Sequence, residues 1–128
     1  MSNAPVAIVA GHGDFATGMV SAVAQITGLA DRLVPMSNTG LGAADIEAAM
    51  SGLVERHEVR FIFTDLPAGS CTIAATRLTR ARDGLTVVTG VNLAVLLYFV
   101  LERAPSAEEA ARRAAAAIRI LPGTQRAH

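Results

Sequence analysis

Short aliphatic runs alternate with longer amphipathic segments along this chain, and the alternation restricts the fold more than any other feature. Between the runs, apolar residues recur at helical spacing, as at Phe15, Met19 and Val23. Strands separated by helices are typical of a parallel sheet that is covered on both faces. The sequence therefore predicts an α/β fold, an open, mostly parallel, doubly wound sheet of four or five strands. The runs read as strands are 6–9, 32–36, 59–64 and 85–89.

The size and composition of the chain indicate one domain with an aliphatic core. A length of 128 residues is enough to bury a core without disulfides or metals, so we expect a single domain over 1–128 with a flexible start at 1–4. Hydrophobic residues make up 52% of the chain but aromatic residues only 4%. The apolar run Leu93–Leu101 predicts a buried helix ended by Pro105. A capping box at 106–109 predicts a last helix, ended by Pro122-Gly123.

Several classes of function are disfavoured by the residue types present. All 11 basic residues are Arg, so a P-loop and a Schiff-base lysine are excluded. A net charge of zero argues against a nucleic-acid partner. The longest apolar run is about half a membrane span and no signal peptide is visible, so we expect no membrane insertion. The single cysteine, Cys71, fits a reducing compartment and a cytoplasmic protein. The histidines lack metal-ligand spacing, so neither a metal nor a cofactor is expected.

Polar residues follow each predicted strand, at the places where parallel strands end. Because the carboxyl ends of such strands share one edge, a ligand is expected there, where the strand order reverses. In the first of these loops a histidine stands between two glycines, Gly11 and Gly13, which permit a sharp turn and leave the imidazole uncrowded. The loops gathered at this edge are 11–13, 35–40, 65–70 and 90–92.

These residues support phosphoryl chemistry on His12. Asp65 could hold one ring nitrogen and leave the other as a nucleophile. The phosphate is expected to bind at two helix starts, against Gly11 and Gly13 at one and Gly69 and Ser70 at the other. Only neutral imidazole has a free lone pair, so acceptance of a phosphoryl group should slow in acid. Each residue also has a plainer interpretation. His12 could be incidental to a glycine turn, Asp65 could brace its own loop, and Ser70 could be a helix cap.

The chain resembles the enzyme IIA component of the mannose-class bacterial sugar phosphotransferase system. The resemblance extends over nearly the full length and rests on Gly11-His12-Gly13, Asp65-Leu66-Pro67-Ala68-Gly69-Ser70 and Thr89-Gly90-Val91-Asn92-Leu93. It implies that His12 accepts a phosphoryl group from the phosphocarrier HPr and passes it to a separate IIB component. It also implies that Asp65 orients the imidazole, that Ser70 helps to hold the phosphate, and that the protein is a homodimer.

The loop after Asp65 departs from the usual family pattern. Members often carry a Gly-Gly-Ser-Pro run with a following Asn, whereas this chain has Ala68, Cys71 and Ile73 at those places, which bears on partner choice. The match is as good to the N-acetylgalactosamine branch as to the mannose branch. The segment 118–121 could form an exchanged strand, although the alanines before it favour continued helix. Two alternatives remain: the phosphoryl-donor subunit of a dihydroxyacetone kinase, and a non-catalytic module that binds an anion or nucleotide.

Overall fold

The computed structural model describes residues 4–123 and contains one parallel sheet with helices on both faces. The expected flexible start, at 1–4, thus lies almost wholly outside the described residues. The strands are β1 (Ala7–Gly11), β2 (Leu33–Ser37), β3 (Phe61–Thr64) and β4 (Thr86–Val88). The helices are α1 (Phe15–Thr27), α2 (Ala43–His57), α3 (Ser70–Ala81), α4 (Leu93–Val100) and α5 (Ala107–Ala116), with a 3-10 turn at Ala30–Arg32.

The strand order is β2-β1-β3-β4, and all three neighbouring pairs are parallel. The predicted fold class is therefore confirmed, with four strands in the described sheet. β2 contains Pro35, which has no amide hydrogen to donate, and it pairs only with β1. A proline is tolerated there because β2 is an edge strand.

β1 is the centre of the core because it is buried on both faces. Val9 faces α1, α4 and α5, while Ile8 on the opposite face packs with α2 and α3. On the first of these faces, the Phe99 ring meets those of Phe61 and Phe63 edge-on at centroid distances of 5.4 and 5.3 Å. Three of the five aromatic residues thus form one cluster of rings within a core that is mostly aliphatic.

The ends of the last two helices differ from the prediction. α4 stops at Val100, before Pro105, and α5 stops at Ala116, well before Pro122. Residues 118–123 have neither helix nor strand, so the expectation of continued helix is wrong. The physical reason is a lack of packing, because Ile118 and Ile120 are 75% and 99% exposed and short helices are marginal without a buried face. The capping box is half formed, with the Ser106 hydroxyl accepting from the amide of Glu109.

Candidate functional site

The strand order reverses between β1 and β3, and the loops that follow these two strands face each other. β1 connects to β2 on one side, whereas the next strand in the chain, β3, lies on the other side of β1. Ala10 of β1 is in register with Thr64, the last residue of β3, so Asp65, which follows β3, lies beside Gly11 and His12. This crevice is where open α/β sheets bind their ligands.

Asp65 holds both the ring and the backbone of His12. The Nδ1 atom of His12 lies 2.7 Å from Asp65 Oδ2, and the backbone amide of His12 donates to the same oxygen at 2.9 Å. The other oxygen, Oδ1, accepts from the amide of Leu66 at 2.8 Å. The carboxylate is only 9% exposed while the imidazole is 55% exposed. The ring is therefore fixed at its inner edge and open to solvent at its outer edge.

The balance of burial and hydrogen bonding sets the charge of Asp65. Burial alone would raise the pKa of Asp65, but the hydrogen bonds from the side chain and backbone of His12, together with its charge and the Leu66 amide, lower that pKa below its usual value. Asp65 is therefore a carboxylate at neutral pH, and as an acceptor it favours the proton on Nδ1 of the neutral ring. The lone pair is then on Nε2, for which no hydrogen bond is found within residues 4–123.

Two glycines leave room for this contact. A Cβ atom at Gly11 would lie 2.9 Å from Asp65 Oδ2 and 2.7 Å from Phe15 Cδ2, so a side chain there would push the carboxylate away. A Cβ atom at Gly69 would lie 3.3 Å from His12 Cε1, which places the start of α3 against the imidazole. Gly13 has a φ of +52°, a backbone conformation that residues other than glycine rarely adopt.

Ser70 is the first residue of α3, and not its cap. Gly69 occupies the N-cap position and Ile73 donates to its carbonyl, so the amides of Ser70, Cys71 and Thr72 precede the first bond within the helix. The prediction that Ser70 caps α3 is therefore wrong. Its hydroxyl instead accepts a hydrogen bond from Nδ2 of Asn38 at 2.8 Å.

Buried hydroxyl groups support the loop that carries Asp65. The Thr72 hydroxyl donates to the carbonyl of Leu66 at 2.5 Å and lies 2.6 Å from the Thr64 hydroxyl and 3.2 Å from that of Thr89. Since Thr72 has a single proton to donate, the other two hydroxyls donate to it. Loop 35–40 and Thr89 were placed at this edge from the sequence, but no role was predicted for Asn38 or for these threonines, although a hydroxyl at a buried strand end such as Thr64 was a usable signal.

Other residues near this edge serve the scaffold. Asn92 caps α4 by accepting from the amide of Val95, and its Nδ2 donates to the carbonyl of Ala114. Cys71 is fully buried, and burial together with the charge of Asp65 raises the pKa of its thiol, so it is a poor nucleophile. Asp14 is at the N-cap position of α1 but makes no side-chain cap.

Neither a metal site nor a membrane span is found in the described chain. Residues 4–123 contain no group of three or more His, Cys, Asp or Glu side chains that could hold a metal ion. Over the same residues, no helix has the length and apolar character needed to cross a bilayer.

Residues 6–116 match the model of the family EIIA-man, described as "PTS system fructose IIA component". The match includes both strands of the crevice and the start of α3. No curated protein sequence matches the chain significantly.

Solved structures share the fold. The chain is 22% identical to a PTS IIA protein associated with the fucose utilization operon of Streptococcus pneumoniae, with a TM-score of 0.83 and coverage of 94% of this chain and 96% of that one. It is 22% identical to the component EIIA from Streptococcus agalactiae, with a TM-score of 0.81 and coverage of 90% and 95%. It is also 22% identical to the mannose/sorbose specific IIA subunit from Enterococcus faecalis, with a TM-score of 0.79 and coverage of 97% and 99%.

Proposed function

The chain belongs to the EIIA-man family and is a phosphoryl carrier of a sugar phosphotransferase system, and we propose that it carries the phosphoryl group on Nε2 of His12. The observation behind this proposal is the bond of 2.7 Å between His12 Nδ1 and Asp65 Oδ2, which leaves the opposite nitrogen free and exposed. In the proposal HPr is the donor and a separate IIB component is the acceptor, and the protein is cytoplasmic. A free thiol at Cys71 is compatible with that compartment.

The proposed reaction is an in-line transfer between two proteins. The Nε2 lone pair attacks phosphorus, a bond between phosphorus and Nε2 forms, and the bond to the donor atom breaks with its electron pair left on the donor. The imidazole gains positive charge in this step, and the Asp65 carboxylate stabilises it. Transfer to the IIB component is the same displacement with the nitrogen of His12 as the leaving group.

We propose that the start of α3 binds the phosphoryl oxygens. The amides at the start of a helix attract anions, and those of Ser70 and Cys71 have no acceptor inside the helix. Gly69 brings this helix end against His12. Gly11 and Gly13 contribute by keeping the turn open, so that Asp65 reaches the ring and the imidazole stays exposed. Such preorganised donors supply charge stabilisation without a lysine or a metal ion.

Labelling tests the carrier function and the identity of the acceptor. The protein is incubated with labelled phosphoenolpyruvate, enzyme I and HPr, and we expect one phosphoryl group per chain that is lost in acid and stable in base. His12→Ala should abolish labelling. His57→Ala is the matched control, because His57 is also exposed but lies at the end of α2, and it should be labelled at the rate of the unchanged protein.

The outcomes separate three functions. Equal labelling of the His12→Ala protein would remove His12 as the acceptor. Reversible phosphate binding without any labelling would support the anion-binding module instead. Transfer of the label to a dihydroxyacetone kinase and not to a IIB component would support the kinase alternative, which neither the family model nor the structures described above favours.

We also propose that the protein is a homodimer. The outer edge of β4 has no partner strand among residues 4–123, and a groove of about 240 Å³ beside it is lined by Phe61, Val88 and Tyr98. Ile118 and Ile120 follow α5 as exposed apolar side chains, which is unusual for an unpartnered surface. Light scattering should give the mass of two chains, and Ile120→Glu should shift it to one. A monomeric unchanged protein would contradict this proposal and leave the carrier function intact.

A further inference from the structure

Asn38 joins the two sides of the crevice. Its backbone amide donates to the carbonyl of Gly11 at 3.1 Å, which anchors Asn38 to the residue before His12. Its carbonyl accepts from the amide of Leu41 at 3.1 Å, which closes its own loop. The side chain then reaches α3, where Nδ2 donates to the Ser70 hydroxyl at 2.8 Å. The backbone of Asn38 thus fixes it to β1, and its side chain fixes the position of Ser70.

From this geometry we infer that Asn38 is a positioning residue for phosphoryl transfer, which acts by orienting the Ser70 hydroxyl toward the phosphoryl group on His12. The inference rests on the proposed function. A serine hydroxyl has one proton to donate and two lone pairs to accept with. The side-chain Nδ2 of Asn38 donates to one lone pair of the Ser70 hydroxyl. The proton of that hydroxyl therefore stays available for an oxygen atom in the crevice. Without Asn38 the hydroxyl is free to rotate, and this donor is no longer preorganised.

The neighbouring side chains do not provide a substitute for Asn38. Ser37 and Thr39 flank it in the same loop, but their hydroxyls bond to each other at 2.9 Å. Thr39→Ala is therefore a matched control, since it removes a side-chain hydrogen bond from this loop without touching Ser70. Asn38→Ala keeps both backbone hydrogen bonds of Asn38, so the loop and β2 should fold as before.

A double-mutant cycle tests whether Asn38 acts through Ser70. Initial rates of phosphoryl transfer from HPr are measured for Asn38→Ala, Ser70→Ala and the double variant, together with thermal unfolding. Ser70→Ala should lower kcat by about 10- to 100-fold, the usual effect of a lost hydrogen bond to a charged group. Asn38→Ala should lower kcat by about 3- to 10-fold, as for a neutral hydrogen bond. The double variant should be no slower than Ser70→Ala alone, because the effect of Asn38 requires the hydroxyl.

The cycle also distinguishes a positioning role from a structural one. A positioning role lowers kcat and leaves both the KM for HPr and the unfolding temperature near those of Thr39→Ala. The inference is overturned if Asn38→Ala transfers at the unchanged rate, or if the double variant shows the product of the two single effects. If the unchanged protein takes no label at all, the proposed function fails and the role of Asn38 fails with it. If labelling is normal and only the cycle fails, the carrier function stands.

Discussion

The loops after β3 and β4 lie at the same edge of the sheet, yet one carries Asp65 of the proposed site and the other supports the scaffold. Each places a polar residue beyond a parallel strand. Asp65 reaches across to His12 of another loop, whereas Asn92 bonds to its own helix α4 and to the carbonyl of Ala114 at the end of α5. The difference follows from strand order, because β3 borders the reversal and β4 is the outer strand. The polar residue after β3 therefore contacts a second loop, whereas the one after β4 contacts two helices.

The largest expected difference is in the labelling rate, between an Asp-to-Asn change at Asp65 and the reverse change at Asn92. Asp65→Asn removes the negative charge that holds Nδ1–H and that, in the proposed reaction, stabilises the phosphorylated ring, so labelling from HPr should slow by about 10- to 100-fold. Asn92→Asp makes the reverse exchange in the other loop and should leave the labelling rate unchanged. An Asn92→Asp protein that is labelled more slowly while it remains fully folded at the assay temperature would show that the loop after β4 also belongs to the site.

Changes at Asn92 should instead lower the stability of the protein more than they affect labelling. Asn92→Ala removes the cap of α4 and the bond that holds the end of α5, and it should lower the free energy of unfolding by about 2 kcal/mol. Asn92→Asp keeps the acceptor for the Val95 amide but replaces the donor to Ala114 by an oxygen that faces the same carbonyl, so a loss of at least about 1 kcal/mol is expected. Urea denaturation measures both. If Asn92→Ala unfolds at the same urea concentration as the unchanged protein, Asn92 does not have this scaffold role.

A pair of glycines at helix N-caps gives a smaller and more local contrast. Gly69 and Gly42 have similar backbone angles, with φ of −76° and −80° and ψ of 163° and 171°. A Cβ atom at Gly69 lies 3.3 Å from the imidazole, whereas one at Gly42 has no neighbour within 4 Å. Both changes to alanine should cost about 0.5 to 1 kcal/mol in capping. Gly69→Ala alone should also slow labelling, by about 3- to 10-fold, because it crowds His12. Equal rates for the two variants would place the phosphoryl group away from α3.

Much of the fold was predictable because its signals are local. Aliphatic runs placed the four strands, helical spacing indicated helices between them, and the pair His12 and Asp65 followed from the rule that parallel strands end at one edge. The order of the strands was not predicted, since nothing local encodes it. For that reason Asn92 was predicted at the same edge as Asp65, but the different roles of the two residues could not be predicted.

The predictions for Ser70 and for the end of α5 failed for the same reason, because both depend on long-range contacts. Ser70 satisfies every local rule for a helix cap, but a contact with Asn38, distant in the chain, and the position of Gly69 decide its role. The end of α5 depends on whether residues beyond Ala116 find a surface to pack on, which composition does not specify. Long-range packing, and not helix propensity, therefore set both outcomes.

The smallest expected effect concerns acid stability and separates Asp65 from Asn92 once more. The pKa of Asp65 is lower in the folded protein than in the unfolded chain, so unfolding takes up protons as Asp65 protonates. Its contribution to stability is fully present above the unfolded value, about 3.9, and is lost as the pH falls through the folded value below it. Urea denaturation of the unchanged protein and of Asp65→Asn, from neutral pH down to about pH 3, should give curves that converge at the acid end. Asn92→Ala does not titrate, so its stability deficit should stay constant over the same range. A constant difference for Asp65→Asn as well would show that the hydrogen bonds from His12 and Leu66 do not favour the ionised carboxylate.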